Sequence, residues 1–174
     1  AFFEELYQIN KIAELMGRPA LFRNDFKETR PRDFGFLIRP TLREFNNFAG
    51  TLDKLMSDNI NLEFFSDDVE RNFEKIRDDG KVIVTPKGSI TILKEWCERK
   101  IRLPDPGPKD EMIQAFREVR RQRQNPAHAV QEDVFDQRYF KEQRALIIKA
   151  YNAIRTLRLT LHNHPKAKDL EAPE

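Results

Sequence analysis

The stretch 117–128 contains four arginines, an asparagine and a histidine, residue types that together bind and process phosphate groups. They are Arg117, Arg120, Arg121, Arg123, Asn125 and His128. An imidazole titrates near neutral pH, and a guanidinium binds anions through paired hydrogen bonds. Because Pro126 breaks a helix and turns the chain, His128 is expected close to the arginines at the helix end. This arrangement is typical of proton transfer beside a phosphate.

The arginines are expected on a helix, because apolar residues recur at helical spacing from Met112 onward, as far as about Gln124. At about 100° per residue, Arg123 falls among the apolar residues of this helix, whereas Arg117 and Arg121 point away from them. An arginine on an apolar face needs a partner, since burying an unpaired charge costs several kcal/mol. Arg123 therefore pairs inside the protein, faces a second subunit or lines a cleft for an anion.

A purely structural explanation remains open for the same residues. In it, His128 caps the helix and Arg123 forms a salt bridge with an acid of the last helix. The spacing of the residues does not by itself decide between this explanation and a functional site.

The elements around this segment are predicted to be helical. Apolar residues recur every three or four positions in residues 2–16, 41–56, 86–101, 110–124 and 133–162. Thr41 and Glu44 have the spacing of reciprocal capping partners at the start of the second segment. Thr85 and Pro86 are typical of an N-cap followed by the first residue of a helix. The sequence predicts an all-α fold, a bundle of four to five helices.

Two neighbouring stretches are less regular. Residues 67–78 fit a short charged helix, and the β-branched run Val82–Val84 fits a strand or an extended loop. We therefore expect one short strand or hairpin near residues 81–92. The predicted organisation is an N-terminal helical and irregular region of unknown role over residues 1–80, a bundle core over residues 81–165 and a flexible acidic tail over residues 166–174.

Composition excludes several classes of protein. The chain has 174 residues and a net charge of +2, so nucleic-acid binding cannot be argued from overall charge. No apolar run approaches the roughly 20 residues that a membrane span needs, and the acidic first segment is unlike a signal peptide. The single cysteine, Cys97, is expected as a small core residue. We expect a soluble, cytoplasmic protein that does not enter a membrane.

Three short matches to ligand-binding motifs lack the residues that such sites require. Asp33-Phe-Gly35 stands without the other motifs of a kinase, and Pro86-Lys-Gly-Ser89 lacks the upstream glycine of a phosphate loop. His162-Asn-His164 has the wrong spacing for a metal site and is expected to place favourable charge at a helix C-terminus. We expect no metal and no cofactor.

The segment Arg123-Gln-Asn-Pro-Ala-His128 resembles the signature of the HEPN superfamily (higher eukaryotes and prokaryotes nucleotide-binding). That signature is an arginine, four to six further residues and a histidine, on the penultimate helix of an α bundle before a long last helix. Arg121 also satisfies the spacing, but the helical wheel favours Arg123. Gln124 stands where asparagine, aspartate or histidine is more common, and Asn125 is the alternative source of the amide. The resemblance covers residues 86–164.

The resemblance implies a metal-independent endoribonuclease in which the catalytic groups of two protomers meet across a dimer interface. His128 would be the general acid or base on the RNA 2'-hydroxyl or the leaving oxygen. Arg123 would stabilise the phosphorane charge, and Asn125 would position the scissile phosphate. The products would carry 2',3'-cyclic phosphate ends, and DNA would not be cut.

The same resemblance implies the partners. RNA-binding residues would be Arg120, Arg121, Gln124, Lys141 and Arg144, through salt-sensitive contacts with the RNA backbone. A second copy of the chain and an antitoxin are expected partners, in a toxin–antitoxin or phage-defence setting. Because the sequence opens at Ala1 with a helix already under way, a processed product or a piece of a larger effector protein is also expected.

Two other functions stay open beside the ribonuclease. One is a catalytically silent HEPN-like module that dimerises and binds RNA, a nucleotide or a partner protein. The other is a plain interaction domain in which Arg123 belongs to a structural ion pair. If two copies face each other around a shared groove, the first two hypotheses survive. If Arg123 is closed off within one subunit, the interaction domain is favoured.

Overall fold

The computed structural model describes residues 1–29, 31, 34–124 and 133–167. In those ranges the chain forms five α-helices and one two-stranded antiparallel sheet. The helices are α1 (Phe2–Leu15), α2 (Leu42–Met56), α3 (Ser89–Lys100), α4 (Gly107–Gln124) and α5 (Arg138–His162), and the strands are β1 (Asn72–Ile76) and β2 (Val82–Pro86). A mostly helical chain with one short hairpin, as the sequence predicts, is confirmed.

The longest helix, α5, is the centre of the packing, and it contacts α1, α2 and α4. Its buried apolar residues recur every three or four positions and include Leu146, Ala150, Ile154, Leu157 and Leu161. A single apolar core runs from Phe2 in α1 to Ala167 after α5, and it includes the fully buried Cys97. Helices from both sides of residue 80 therefore share one core.

Helix α1 is joined to α5 by a buried ion pair as well as by apolar contacts. Arg158 donates from Nε to the Glu5 carboxylate, and the two side chains are 5% and 4% exposed. The Tyr151 hydroxyl lies 3.5 Å from the second oxygen of Glu5. Because each charge is removed from water, the pair holds α1 in one register on α5, and loss of either partner is costly.

The start of α2 differs from the predicted capping box. The Thr41 hydroxyl accepts a hydrogen bond from the Glu44 amide at 3.3 Å, so the predicted N-cap is confirmed. The reciprocal half is wrong, because the Glu44 carboxylate accepts instead from the amides of Ile38 and Arg39. The hydrogen bond from the Arg39 amide is the largest cause of the lowered pKa of Glu44. The segment before α2 places the amides of Ile38 and Arg39 next to the Glu44 carboxylate, whereas the Thr41 amide donates to the Arg39 carbonyl.

The hairpin lies earlier than predicted. Strand β1 occupies residues for which a charged helix was expected, and Thr85 and Pro86 end β2 instead of opening α3. Helix α3 begins at Ser89, with Gly88 as its N-cap. The turn between the strands contains Gly80 at φ +77°, a conformation that glycine adopts without strain. Pairing with the β-branched strand satisfies the backbone of residues 72–76, whereas a short isolated helix is only marginally stable.

The structure also describes the residues that precede and follow α5. Helix α5 begins at Arg138, later than predicted, because the preceding residues pair with the chain before α2. The Leu42 amide donates to the Val134 carbonyl at 3.0 Å, and the Asp136 amide donates to the Pro40 carbonyl at 2.8 Å. Of the predicted acidic tail, residue 167 is buried, and residues 168–174 lie outside the described part of the chain.

None of the helices in the described ranges combines the length and the apolar character that crossing a bilayer requires.

Candidate functional site

Three helices bring the candidate site together at one end of the bundle. Helices α4 and α5 are antiparallel neighbours, joined by an ion pair of 2.6 Å between Glu118 and Lys149. The end of α4 at Gln124 and the start of α5 at Arg138 therefore lie at the same end. Helix α2 packs against α4 and supplies the acidic partners of its arginines.

A buried carboxylate on α2 holds two arginines of α4. Asp53 is 0% exposed, and it accepts from Arg123 Nη1 at 2.8 Å and from Arg120 Nε at 3.3 Å. Asp58, just after α2, lies 2.5 Å from Arg120 Nη2 and 2.5 Å from Arg123 Nη1. Residues three apart lie on one face of a helix, so Arg120 and Arg123 reach the same pair of acids.

The helical wheel correctly indicated that Arg123 needs a partner, but the structural explanation named the wrong acid. Its partners come from α2 and the residues just after it, not from the last helix, because α2 packs against the arginine-bearing face of α4. Hydrogen bonds to Asp53 and then to Asp58 raise the pKa of Arg123 above its ordinary value. Arg123 is therefore a permanent cation that is paired within one chain.

Arg123 is paired but not closed off, since its side chain is 40% exposed. Both of its contacts with the aspartates use the same nitrogen, Nη1. Among the residues that the structure describes, no acceptor takes a hydrogen bond from its Nε or Nη2. Nη1 is thus anchored, while Nε and Nη2 have no acceptor within the described ranges and can donate to an anion.

Arg123 lines an open polar groove along α2. The groove is lined by Asn46, Asn47, Gly50, Thr51 and Lys54 together with Arg123. A Cβ added at Gly50 would meet nothing within 4 Å, so the floor of the groove is open at this point. Two amides, a hydroxyl, an ammonium and a guanidinium offer hydrogen bonds of the kind that bind phosphate oxygens.

The remaining predicted residues are distributed over the surface. Arg121 is exposed on α4, and Lys141 and Arg144 are exposed near the start of α5. None of these three lines the groove of Arg123. Gln124 is the last residue of α4. Asn125 and His128, the other two predicted catalytic residues, lie outside the described residues.

Sequence reasoning missed the acids that position the arginines. Asp53 lies on the buried face of α2, between the buried residues Leu52 and Leu55. An acid on the apolar stripe of one helix and an arginine on that of another form a detectable signal, because each needs a partner of opposite charge. Asp58, Asn46 and Lys54 have no comparable signal, since polar residues that are exposed or half-buried on a helix or just after its end are ordinary.

An exposed apolar patch adjoins the groove. It consists of Phe36, Ile38, Val134, Phe135 and Phe140, which are 90%, 88%, 47%, 65% and 43% exposed. The two loop segments are held together by a β-bridge between Thr41 and Phe135. Asn47 lines both the polar groove and the shallow depression beside Phe36 and Ile38. These side chains expose on the order of 600 Å² of apolar surface, at the upper end of the range for the largest patch on a monomer.

Within the described ranges, no group of three histidine, cysteine, aspartate or glutamate side chains is placed to hold a metal ion.

No protein-family model, curated protein or solved structure matches this chain. Assignment of a function therefore rests on the residues and on their geometry.

Proposed function

We propose that the chain is a HEPN-type, metal-independent endoribonuclease that acts as a homodimer. The observation that carries this proposal is the state of Arg123, which is anchored through Nη1 on the buried Asp53, is 40% exposed and lines an open polar groove. A guanidinium fixed before substrate binds stabilises transition-state charge without reorganising. A wholly structural arginine needs no such exposure.

The proposed chemistry uses the RNA itself as the nucleophile. The 2'-oxygen attacks the adjacent phosphorus, its proton passes to a general base, and the bond from phosphorus to the 5'-oxygen breaks as that oxygen is protonated. His128 is the proposed acid or base, and Asn125 positions the phosphate. Arg123 Nε and Nη2 donate to the non-bridging oxygens, whose charge grows in the phosphorane. The 2',3'-cyclic phosphate is the product.

Contacts with the rest of the RNA are proposed for exposed cations. Arg121, Lys141 and Arg144 are exposed and belong to the helices that meet at the candidate site. Such contacts neutralise phosphate charge and release counterions, so they weaken as salt rises. Arg120 is held by Asp53 and Asp58, and it therefore serves mainly to fix the acids that orient Arg123.

The apolar patch supports the proposed homodimer. A stable interface buries about 800 Å² per partner, and the patch supplies most of that area from five side chains. The patch adjoins the groove through Asn47, so a second copy seated on it brings two grooves near one another. An antitoxin or a larger effector protein, in a toxin or phage-defence setting, is the proposed biological partner.

A catalytically silent module is the second candidate, and one observation favours it. The two acids Asp53 and Asp58 balance the charges of Arg120 and Arg123, which weakens the attraction of the site for an anion. Such a module would dimerise and bind RNA, a nucleotide or a partner protein without cutting. The third candidate, a plain interaction domain, fits the pairing of Arg123 within one chain but not the 40% exposure of its side chain.

The deciding experiment is an RNA cleavage assay in EDTA on a denaturing gel. We compare the wild type with His128→Ala and Arg123→Ala, and use Arg117→Ala, an exposed arginine on another face of α4, as the matched control. The proposal expects cleavage by the wild type and the control, loss of cleavage in the other two variants, and fragments with 2',3'-cyclic ends. A folded wild type that leaves RNA intact points to the silent module.

Sedimentation tests the dimer separately. The double substitution Phe36→Ser with Ile38→Ser should convert a dimer into a monomer, because it removes the two most exposed apolar side chains of the patch. Leu159→Ser is the control, since Leu159 is 47% exposed and lies near the opposite end of α5. A dimer that survives the double substitution would place the interface elsewhere.

A further inference from the structure

A second cavity lies at the other end of α5, about 35 Å along the helix from the candidate site. Its volume is about 410 Å³, within the range of small-molecule sites, roughly 300–1,000 Å³. Its walls come from the ends of α1, α3 and α5 and from the linker before α4. Apolar side chains form one side, among them Met16, Leu103 and Leu161.

The cationic side of this cavity is fixed by one acid, Asp68. Its carboxylate accepts from Arg18 Nη2 at 2.7 Å, from Lys100 Nζ at 2.6 Å and from Trp96 Nε1 at 3.1 Å. Arg18 also donates to the Phe64 carbonyl at 2.8 Å, and its guanidinium lies 5.7 Å from the centre of the Trp96 ring. Three lining side chains are therefore held in place before any ligand arrives.

Hydrogen-bond donors remain after these internal contacts. Arg102 lines the cavity, is exposed, and forms no ion pair or hydrogen bond with any residue in the described part of the chain. Lys100 donates to Asp68 and retains further N–H groups. His164 accepts from the Lys166 amide at Nδ1, 3.3 Å away, which places the proton of the neutral ring on Nε2. Two donors from the end of α3 and the residues just after it, and one donor from the segment after α5, thus line one cavity.

The charge of the cavity is positive. Arg18, Lys100 and Arg102 are cations, and Asp68 offsets one of them. Three helices also end here, and each C-terminus carries about half a negative charge, which attracts cations by itself. Together these partial charges offset about 1.5 of the two remaining units, so about half a positive unit is left. Compensation of helix ends explains the cations near the ends of α1 and α3, but it does not explain a partly open cavity of about 410 Å³ that apolar side chains also line.

We propose that this cavity binds a phosphate monoester carried on an aromatic or other apolar group. A tetrahedral dianion presents three terminal oxygens, which suits an ammonium and a guanidinium at the end of α3 and an imidazole N–H from the segment after α5. The apolar group packs on Met16, Leu103 and Leu161. The site is distinct from the groove of Arg123, and it does not depend on the proposed ribonuclease activity.

The chain contains a reporter for this test, because its one tryptophan, Trp96, lines the cavity. Phenyl phosphate is titrated into the full chain while tryptophan fluorescence is recorded, with inorganic phosphate and phenol titrated in parallel. We expect a saturable change with phenyl phosphate, and at least tenfold weaker binding of each of the two fragments, because each makes only half of the contacts.

Variants separate a specific site from general charge attraction. Arg102→Glu should weaken phenyl phosphate binding at least tenfold and His164→Ala about threefold, while Arg117→Glu on another part of the surface leaves binding within twofold. Arg102 is exposed, so its replacement should not unfold the chain, and circular dichroism checks this. Absence of saturation, equal binding of inorganic phosphate, or equal loss in the Arg102 and Arg117 variants would overturn the proposal. If Arg102 serves only to compensate the charge of the helix ends, Arg102→Glu should lower stability, and the wild type should not bind phenyl phosphate.

Discussion

Removal of Asp53 should destabilise the protein much more than removal of Arg123, although the two residues form one ion pair. Asp53 is 0% exposed and accepts from two arginines, so Asp53→Ala leaves both guanidiniums without their buried partner. Breaking a buried pair costs about 3–5 kcal/mol. The side chains of Arg120 and Arg123 are 28% and 40% exposed, so water can solvate them when Asp53 is removed. We therefore expect a loss of stability at the lower end of this range, about 3 kcal/mol.

Arg123→Ala has a smaller expected effect. Asp53 keeps both hydrogen bonds from Arg120 Nε, at 3.3 Å, and so it is not left unpaired. The lost interaction is a charged hydrogen bond of 2.8 Å, worth about 1.5–3 kcal/mol in a buried setting. Solvent at a side chain that is 40% exposed reduces this contribution, and we expect a loss of about 1 kcal/mol.

Urea denaturation monitored by the fluorescence of Trp96, which is 2% exposed, measures both changes. The slope of free energy against urea concentration should stay constant, so that shifts in midpoint report stability. Arg117→Ala is the control, and it should remain within about 0.5 kcal/mol of the wild type. If Arg123→Ala costs as much as Asp53→Ala, Arg123 is a structural residue, and the argument for anion binding by its Nε and Nη2 fails.

Three further predictions concern other parts of the molecule. Burial opposes ionisation of Asp68, but hydrogen bonds from Lys100, Arg18 and Trp96 outweigh it and lower the pKa to about 2 from 3.8. The stabilisation is present above pH 3.8 and lost as the pH falls towards 2, so Asp68→Asn should cost about 2 kcal/mol at pH 7 and little at pH 2 in urea titrations. Arg158→Met should cost about 3 kcal/mol in the same assay, because it strips the buried Glu5 of its cation, and a loss below about 1 kcal/mol would contradict this. Arg144→Ala should reduce the slope of log affinity for single-stranded RNA against log salt by about 0.7, and an unchanged slope would remove Arg144 from the RNA interface.

Much of the helical content could be predicted from local pattern. Apolar spacing identified the five α-helices of the described ranges, because a helix that buries one face must repeat apolar residues every three or four positions. The hairpin was predicted too late in the chain, because strand β1 contains alternating charged and apolar residues that also fit a short helix. Only pairing with β2, five residues further along the chain, distinguishes the two structures.

The candidate site was predictable in part for the same reason. The position of Arg123 on the apolar face of α4 required a partner, and this follows from helical geometry and the cost of burying a charge. The identity of that partner did not follow, because Asp53 is separated from Arg123 by 70 residues and no local pattern joins them. The exposure of Arg123 also depends on how far α2 covers the end of α4.

The sequence by itself determined the helices, the cap at Thr41 and the need of Arg123 for a partner, because each depends on spacing within a single element. Tertiary structure alone decided which acids hold the arginines, that the loop segments of Phe36 and Phe135 are joined by a β-bridge, and that the ends of α1, α3 and α5 line one cationic cavity. Those features depend on the packing of distant elements around α5. Packing is a property of the whole core, and no single segment encodes it.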